Sequence, residues 1–272
     1  MSSSTRPTDP ARPAAVLASL LAPGDPEDLY SPAGARLYER LAAFDTSEQA
    51  ALLRLLSEDD GEILELACGG GRLALPLLSL GRPVTGIDLS PEMIRLLLRR
   101  YDGLPTSRRP APLTAIVGDM RDFSLGRTFG SIVLGTTSLL LLDRKDRARL
   151  YGVVRRHLGP QGRFLVSVHA SAPRPGATST RIVPLVDGEA EAAVISDEVT
   201  RDGRTRHVSI LHVARERGGV LEAAEYASTV AVLTADEVDH ELVDAGFSRV
   251  ESVAAGAGAA GSEGLLIRAY TA

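Results

Sequence analysis

Apolar and polar residues change rhythm along the chain, and each rhythm predicts an element. Ala14–Ala22 (AAVLASLLA) is almost wholly apolar. Pro32–Leu56 places Leu37, Leu41, Leu52, Leu53 and Leu56 at broadly helical spacing, so both stretches predict helices. Glu62–Cys68 (EILELAC) predicts a short strand that runs into Gly69, Gly70 and Gly71. Arg72–Leu80 predicts a helix broken by Gly81 and Pro83, and Val84–Leu89 a second strand ending near Asp88. Ser90-Pro91-Glu92 opens a helix through Met93–Arg100, because Ser is a good cap and Pro suits the first helical position. Leu113–Gly118 and Ser131–Gly135 predict strands, Arg147–Leu158 a helix and Gly159-Pro160-Gln161-Gly162 a turn. Arg163–His169 (RFLVSVH) predicts a fifth strand. Strands alternating with helices imply right-handed crossovers and a parallel sheet covered on both faces, an α/β fold.

Beyond Ala170 the period shortens to two. VISDEVT and HVSILHV alternate on either side of Asp202-Gly203, a strong hairpin signal, and Leu221–Leu233 reads as a further long strand. Thr234 then caps a helix ending at Ala245-Gly246, and Gly264–Tyr270 predicts a terminal strand. The expected organisation is a polar, proline-rich, disordered tail (1–13), an N-terminal helical lid (14–57) and a ligand-binding core (58–170). An antiparallel insertion over the acceptor pocket (171–233) follows, then a helix and strands that complete the core sheet (234–272).

Composition narrows the function classes. A chain of 272 residues holds one large α/β domain or two small ones. A net charge of -5 gives no reason to expect nucleic acid as a partner. Cys68 is the lone cysteine, so an intramolecular disulfide is excluded, which fits a cytoplasmic location. No apolar run approaches the ~20 residues of a membrane helix, so no membrane association is expected. Ala14–Ala22 imitates a signal-peptide core, but its lead is Ser/Thr/Pro-rich with an Asp, and a lid helix is the reading adopted. No Cys/His cluster has metal spacing and no G-x-S-x-G elbow is present.

The chemistry centres on Glu65-Leu66-Ala67-Cys68-Gly69-Gly70-Gly71-Arg72. Glycines after a strand remove Cβ atoms that block a ligand and permit positive φ, and the following helix start offers N–H groups. Asp88 lies 19 residues after Gly69, at the tip of the next strand, where an acid accepts from both ribose hydroxyls. Gly69, Gly71 and Ala74 also match G-x-G-x-x-A of dinucleotide-binding folds. Glu65, an acid in an apolar strand, suits a cationic ligand such as a sulfonium-bearing amino acid and suits pyrophosphate poorly. Asp119 of Gly118-Asp119-Met120-Arg121-Asp122-Phe123 can accept from an adenine amine, with the Met120 N–H facing a ring nitrogen.

LELACGGGRL, GIDLSPEMI and GDMRDF, in this order and spacing, resemble the motifs of class I methyltransferases that use S-adenosylmethionine (SAM). The resemblance is strong over Glu62–His169 and weak elsewhere. It implies a Rossmann-like sheet, SAM as cofactor and S-adenosylhomocysteine (SAH) as product, with no metal. It also implies that Glu65, Gly69 and Gly71 hold the methionine part, that Ala67 lies against the cofactor and that Asp88 binds ribose. Leu89 and Met93 would flank adenine, Asp119 and Met120 would read its edge, and Gly135 with Thr136 would line the methyl end. Where the family usually has Thr or Ser, this chain has Gly70, so that side-chain contact is missing while the backbone cradle remains. GDMRDFSLGRTF and the insertion are closer to N,N-dimethyltransferases of amino sugars and other natural-product amines. Enzymes that dimethylate a ribosomal peptide terminus (the daptide type) are similar in size and style. The implied acceptor is a small-molecule or peptide amine.

His169, ending the fifth strand, is a candidate base or acceptor-orienting group, and Tyr30 a candidate lid contact. Thr137, among the hydroxyls Thr136–Ser138, and His212 are candidate acceptor contacts. His157 and His240 are expected on helix surfaces, Arg72 solvated or paired with an acid, and Cys68 in the core. The rival readings are an O-methyltransferase with His169 as base, a SAM-binding sensor without catalysis, and a nicotinamide oxidoreductase.

Overall fold

The computed structural model describes residues 13–43, 46–169, 173–185, 190–215, 220–257 and 263–271. The expected tail, apart from Pro13, lies outside the described residues. In chain order the elements are α1 (Pro13–Leu21), β1 (Glu27–Asp28), α2 (Pro32–Ala42), α3 (Ser47–Leu56), β2 (Ile63–Leu66), α4 (Ala74–Leu77), β3 (Val84–Asp88), α5 (Pro91–Gly103), β4 (Leu113–Val117) and β5 (Phe129–Leu134). There follow α6 (Arg144–His157), β6 (Leu158–His169), β7 (Thr178–Leu185), β8 (Glu191–Val199), β9 (Thr205–Arg215), β10 (Leu221–Ala231), α7 (Ala235–Asp244), β11 (Arg249–Ala257) and β12 (Glu263–Tyr270). They form two compact units, Met1–Ala43 with Pro173–Val232, and Phe44–Ala172 with Leu233–Ala272.

The second unit carries a seven-stranded sheet in the order β11-β12-β6-β5-β2-β3-β4. The expected parallel centre is present: β2, β3, β4, β5 and β6 pair in parallel. β12 and β11 add antiparallel strands at one edge. The short runs ILEL and FGSIVL are nearly all buried, as a sheet covered on both faces requires. Helix starts follow their chemistry. The Ser90 hydroxyl accepts from the Met93 N–H at 3.3 Å, and Thr234 with Glu237 forms a capping box.

Three expected features are shaped differently. Residues 32–56 form not one helical stretch but α2 and α3, with Thr46 at the start of α3 and making no side-chain cap. Their apolar positions serve separate cores: Leu37 packs with Leu29 and Leu185, whereas Leu52 and Leu56 pack with Ile63. The helix expected over Arg72–Leu80 is one short turn, Ala74–Leu77, continued as a 3₁₀ turn to Leu80. Pro76 lacks the N–H that a longer helix needs there. The turn Gly159–Gly162 becomes a bulge within β6: Leu158 pairs with Phe129 and Arg163 with Ser131, so four residues stand against Gly130. Gln161 has φ 60° in this bulge.

The first unit carries a five-stranded sheet in the order β1-β10-β9-β8-β7, with β7 to β10 antiparallel. The Asp202-Gly203 hairpin is formed. Gly203 takes φ 72°, and the Asp202 carboxylate accepts from the Arg204 N–H at 3.0 Å. Strand β7 was not anticipated; seven of its eight side chains are exposed or half-buried, which leaves weak alternation to read.

Candidate functional site

The sheet of the second unit reverses direction of growth between β2 and β5. The chain walks outward through β3 and β4, then returns to the other side of β2 as β5. Open α/β sheets seat ligands outside the strand carboxyl ends at such a switch point. Here those ends carry Glu65 and Leu66 of β2, Asp88 of β3, and Gly135 just after β5.

Glu65 is 3% exposed, and its Oε2 is buried with no hydrogen-bond partner. Burial pushes its carboxyl well above the usual carboxylate range; Arg72 opposes this, while Glu48 and Asp88 add to it. The loop after β2 is left-handed at Ala67 (φ 51°), Gly69 (φ 51°) and Gly71 (φ 93°). A Cβ on Gly71 would stand 2.4 Å from Leu97 Cδ1 and force that side chain to move, and φ 93° disfavours any other residue there. Gly135 is similar: its Cβ would meet Leu73 Cδ1 at 2.3 Å. Asp88 supports the loop. Its Oδ2 accepts from the Gly69 N–H and its Oδ1 from the Ser90 N–H, both at 2.8 Å.

Beside Asp88, Leu89 is 70% exposed, whereas Met93 is buried in α5. Asp119 and Asp122 close a turn that carries Met120 and Arg121. Asp119 is engaged by its neighbour: Arg121 donates from N and Nε to Oδ1, and from Nε and Nη2 to Oδ2. Those Arg121 hydrogen bonds hold the Asp119 carboxyl below its ordinary range. Arg121 also reaches Asp146 at 2.5 Å. This clamp was not read from the sequence, although Arg121 stands inside the quoted motif.

A second unread group is Glu48 on α3. Its Oε2 accepts from Arg72 Nη2 and its Oε1 from the Ser167 hydroxyl. Glu48 Oε1 also lies 3.1 Å from where a Cβ on Gly135 would stand. Arg72 is thus paired with an acid, one of its two expected states. A lone acid and a lone serine far apart in sequence carry no motif; only α3 and β6 bring them together.

The other candidates fall as follows. His169 is half-buried at the end of β6, paired in register with Gly264. Gly135 is buried, and the backbone of Thr136 opens a 3₁₀ turn to Leu141. The side chains of Thr136 and Thr137 lie outside the described part of the structure. Tyr30 and His212 belong to the other compact unit. There the Tyr30 ring stands 6.2 Å from Tyr38, and His212 Nε2 lies 3.4 Å from Glu191 Oε2. His157 corrects an expectation: it is 5% exposed, not a surface residue. Its Nδ1 lies 2.8 Å from the Val153 carbonyl, and its Nε2 accepts from the Leu125 N–H, so the ring ties α6 to the loop before β5. Cys68 is a core residue, as expected.

Among the described residues, no helix is long and apolar enough to cross a membrane, and no group of three or more His, Cys, Asp or Glu is placed to hold a metal.

Comparison with known proteins completes this geometry. A family described as methyltransferase domain matches residues 63–162, the span from β2 into β6. The chain is 25% identical to dTDP-4-amino-2,3,4,6-tetradeoxy-D-glucose N,N-dimethyltransferase of Saccharopolyspora spinosa, over 80% of this chain and 87% of that one. The protein is a SAM-dependent methyltransferase. Among solved structures, the glycopeptide N-methyltransferase MtfA complexed with SAH is 28% identical, with 96% of this chain and 98% of that chain covered at a TM-score of 0.60. DesVI of Streptomyces venezuelae matches at a TM-score of 0.68 over 89% of this chain and 99% of that one; at 22% identity it shows the fold alone. The methyltransferase fold expected from the motifs is therefore the fold of this chain.

Proposed function

We propose that this methyltransferase transfers methyl groups from SAM to an amine of a natural-product small molecule or a peptide terminus. The observation that carries the amine is likeness along nearly the whole chain to N-methylating proteins: 87% of an amino-sugar N,N-dimethyltransferase and 98% of a glycopeptide N-methyltransferase are spanned.

The residues present fit SAM. Glu65 Oε2, buried without a partner, is a carboxylate oxygen that a cationic ligand would satisfy. Asp88 accepts one backbone N–H on each oxygen, and a carboxylate oxygen has two acceptor positions, so each retains one for a ribose hydroxyl. SAM supplies, when bound, an electrophilic methyl group on a sulfonium. Glu65, Ala67, Gly69 and Gly71 would hold its amino-acid end and Asp88 its ribose. Leu89 and Met93 would flank adenine; Met120 would read its edge beside Asp119, which Arg121 holds in place. Gly135 and Thr136 would line the reacting end.

The chain's own contribution is alignment and exclusion of water, since the acceptor nitrogen only has to lose a proton before attack. His169, at the strand end beside this region, is the proposed proton acceptor or orienting group. Tyr30 and His212 are not used in this mechanism.

The test is a panel of amines, phenols, carboxylates and short peptides with labelled SAM. Two successive mass gains on one primary amine are expected. Transfer only to oxygen would replace the amine reading with O-methylation. His169→Ala then sorts the roles: loss of a general base costs ~10²–10⁴-fold in rate and recovers at high pH with an amine, whereas loss of an orienting group costs less.

A further inference from the structure

We infer that Glu48 is a specificity-determining residue of the acceptor side, presenting a carboxylate at the end of β5 to a positively charged nitrogen. The inference rests on the amine reading above and names the residue that recognises that amine.

Three observations carry it. First, place: Glu48 Oε1 stands 3.1 Å from the Cβ position of Gly135, at the strand end beside the switch point. A Cβ at residue 135 would also meet Leu73 Cδ1 at 2.3 Å, so the lack of a side chain there lets the end of β5 and the Glu48 carboxylate lie this close. Second, fixation: Arg72, just after the glycine loop, and Ser167, on β6, grip the two oxygens of Glu48 from different elements. A carboxylate so held has little rotamer freedom left to lose when it meets a ligand. Its side chain keeps 14% exposure, so it is not sealed. Third, charge: Glu65 is buried close enough to feel both Glu48 and Arg72, with Oε2 unpartnered. With Asp88 the strand ends hold three acids, and Arg72 is the guanidinium among the groups that act on Glu65. In the reading above SAM engages Glu65 and Asp88, which leaves Glu48 as the carboxylate of the three that faces the acceptor. Of the elements packed on α3, α4 has no charged residue, and β11 carries Arg249 and Glu251, which bond to each other.

An ammonium acceptor binds through its charge and then gives up one proton to solvent or His169. The neutral nitrogen's lone pair forms the new N–C bond as the methyl–sulfur bond breaks, and the bonding pair stays on sulfur. Glu48 contributes to capture and aim, not to bond making.

The experiment measures KM and kcat of Glu48→Gln against the amine that the panel identifies, across pH, with SAH affinity by calorimetry alongside. Gln keeps the shape and removes the charge. The expected result is KM raised about tenfold or more where the acceptor is protonated, the weight of a charge-assisted hydrogen bond. This difference should shrink towards none above the acceptor's own pKa, while SAH affinity changes less than about threefold. An unchanged KM at neutral pH overturns the inference. So does a loss of SAH affinity as large as the loss of KM, which would make Glu48 a support of the donor loop. The wild type gives an independent reading should the variant not fold. A quaternary ammonium analogue of the acceptor should compete at least about tenfold better than its neutral tert-butyl isostere. Equal competition overturns the inference. The two failures are distinct: oxygen-only transfer by the wild type removes the amine reading itself, whereas an amine-active wild type with an indifferent Glu48→Gln removes only the inference.

Discussion

The two compact units handle charge in different ways. In the antiparallel unit, acids lie across neighbouring strands and meet partners near solvent. Glu191 is joined by Arg40 and His212, and Asp197 by Arg181 and Arg206. Arg40 reaches Glu191 from α2 and the other partners reach across strands, and such partly exposed pairs contribute little each. In the parallel unit, acids gather where strands end. Glu65 is buried with an orphaned oxygen, Asp88 braces a glycine loop, and Glu48 is gripped from two sides. An unpartnered buried carboxylate lowers stability, so packing alone gives no reason for Glu65. The contrast points to function: at the switch point Glu65 holds a buried oxygen with no partner, whereas Glu191 and Asp197 of the antiparallel unit are paired.

The largest effect should come from Asp88, which combines a bracing role with a proposed ligand role. Asp88→Ala frees the Gly69 and Ser90 N–H groups and removes the ribose acceptor. SAH affinity by calorimetry should fall by about 1.5–3 kcal/mol, the range for hydrogen bonds to a charged group. A folded variant with unchanged affinity would place the ribose elsewhere.

Next come the glycines, where the same backbone sign has different causes in the two units. Gly71→Ala puts a Cβ 2.4 Å from Leu97 Cδ1 at φ 93°, so overpacking adds to backbone strain. A loss of about 1–3 kcal/mol is expected in denaturant unfolding. Gly203→Ala, at φ 72° in the hairpin of the other unit, meets Pro175 Cγ at 3.0 Å and should lose less, about 1–2 kcal/mol. Equal losses would mean that the loop glycines serve conformation alone.

Much of this contrast was legible in the sequence. LELACGGGRL, GIDL and GDMRDF are local strings, and the strand–loop–helix order they imply is what folded. Ser90-Pro91 and Thr234 marked helix starts because caps act within three residues. What stayed hidden depends on distant partners. Glu48 and Ser167 are 119 residues apart and are joined by tertiary packing. His157 looked like a helix-surface residue until Leu125 and Val153 supplied its two hydrogen bonds. The break between α2 and α3 was masked because leucines on both sides kept a helical rhythm while facing separate cores. The contact that a Cβ on Gly71 would make with Leu97 also lay beyond the local string, because α5 supplies it.

Glu65→Gln tests whether the orphaned charge is kept for a ligand. The folded-state pKa of Glu65 is raised by burial above its unfolded value. Its contribution is therefore fully present below the unfolded pKa and is lost as pH rises through the folded one. The variant should gain in melting temperature relative to wild type as pH rises above the ordinary carboxylate range, measured without ligand. Its SAH affinity should fall about tenfold. A melting difference that shrinks with rising pH would contradict the assigned cause.

The smallest effect belongs to the antiparallel unit, and it sharpens the comparison most directly. Arg40 Nη2 lies 2.8 Å from Glu191 Oε2, and the two side chains keep 33% and 19% exposure. Burial works against the Glu191 charge, but the bonds from Arg40 and His212 outweigh it, so its carboxyl titrates below the usual range. A depressed acid contributes stability above its unfolded pKa and loses it as pH falls through the folded one. Arg40→Met keeps the apolar stem and removes the charge. His212 remains within 3.4 Å of the same oxygen to share the load. The expected loss is about 0.2–1 kcal/mol at neutral pH, shrinking in acid as Glu191 protonates. Unfolding curves at the two pH values measure it. A neutral-pH loss of about 3 kcal/mol or more would be the signature of a buried pair. Glu191 would then belong with Glu65 rather than opposite it, and charge would no longer separate the two units.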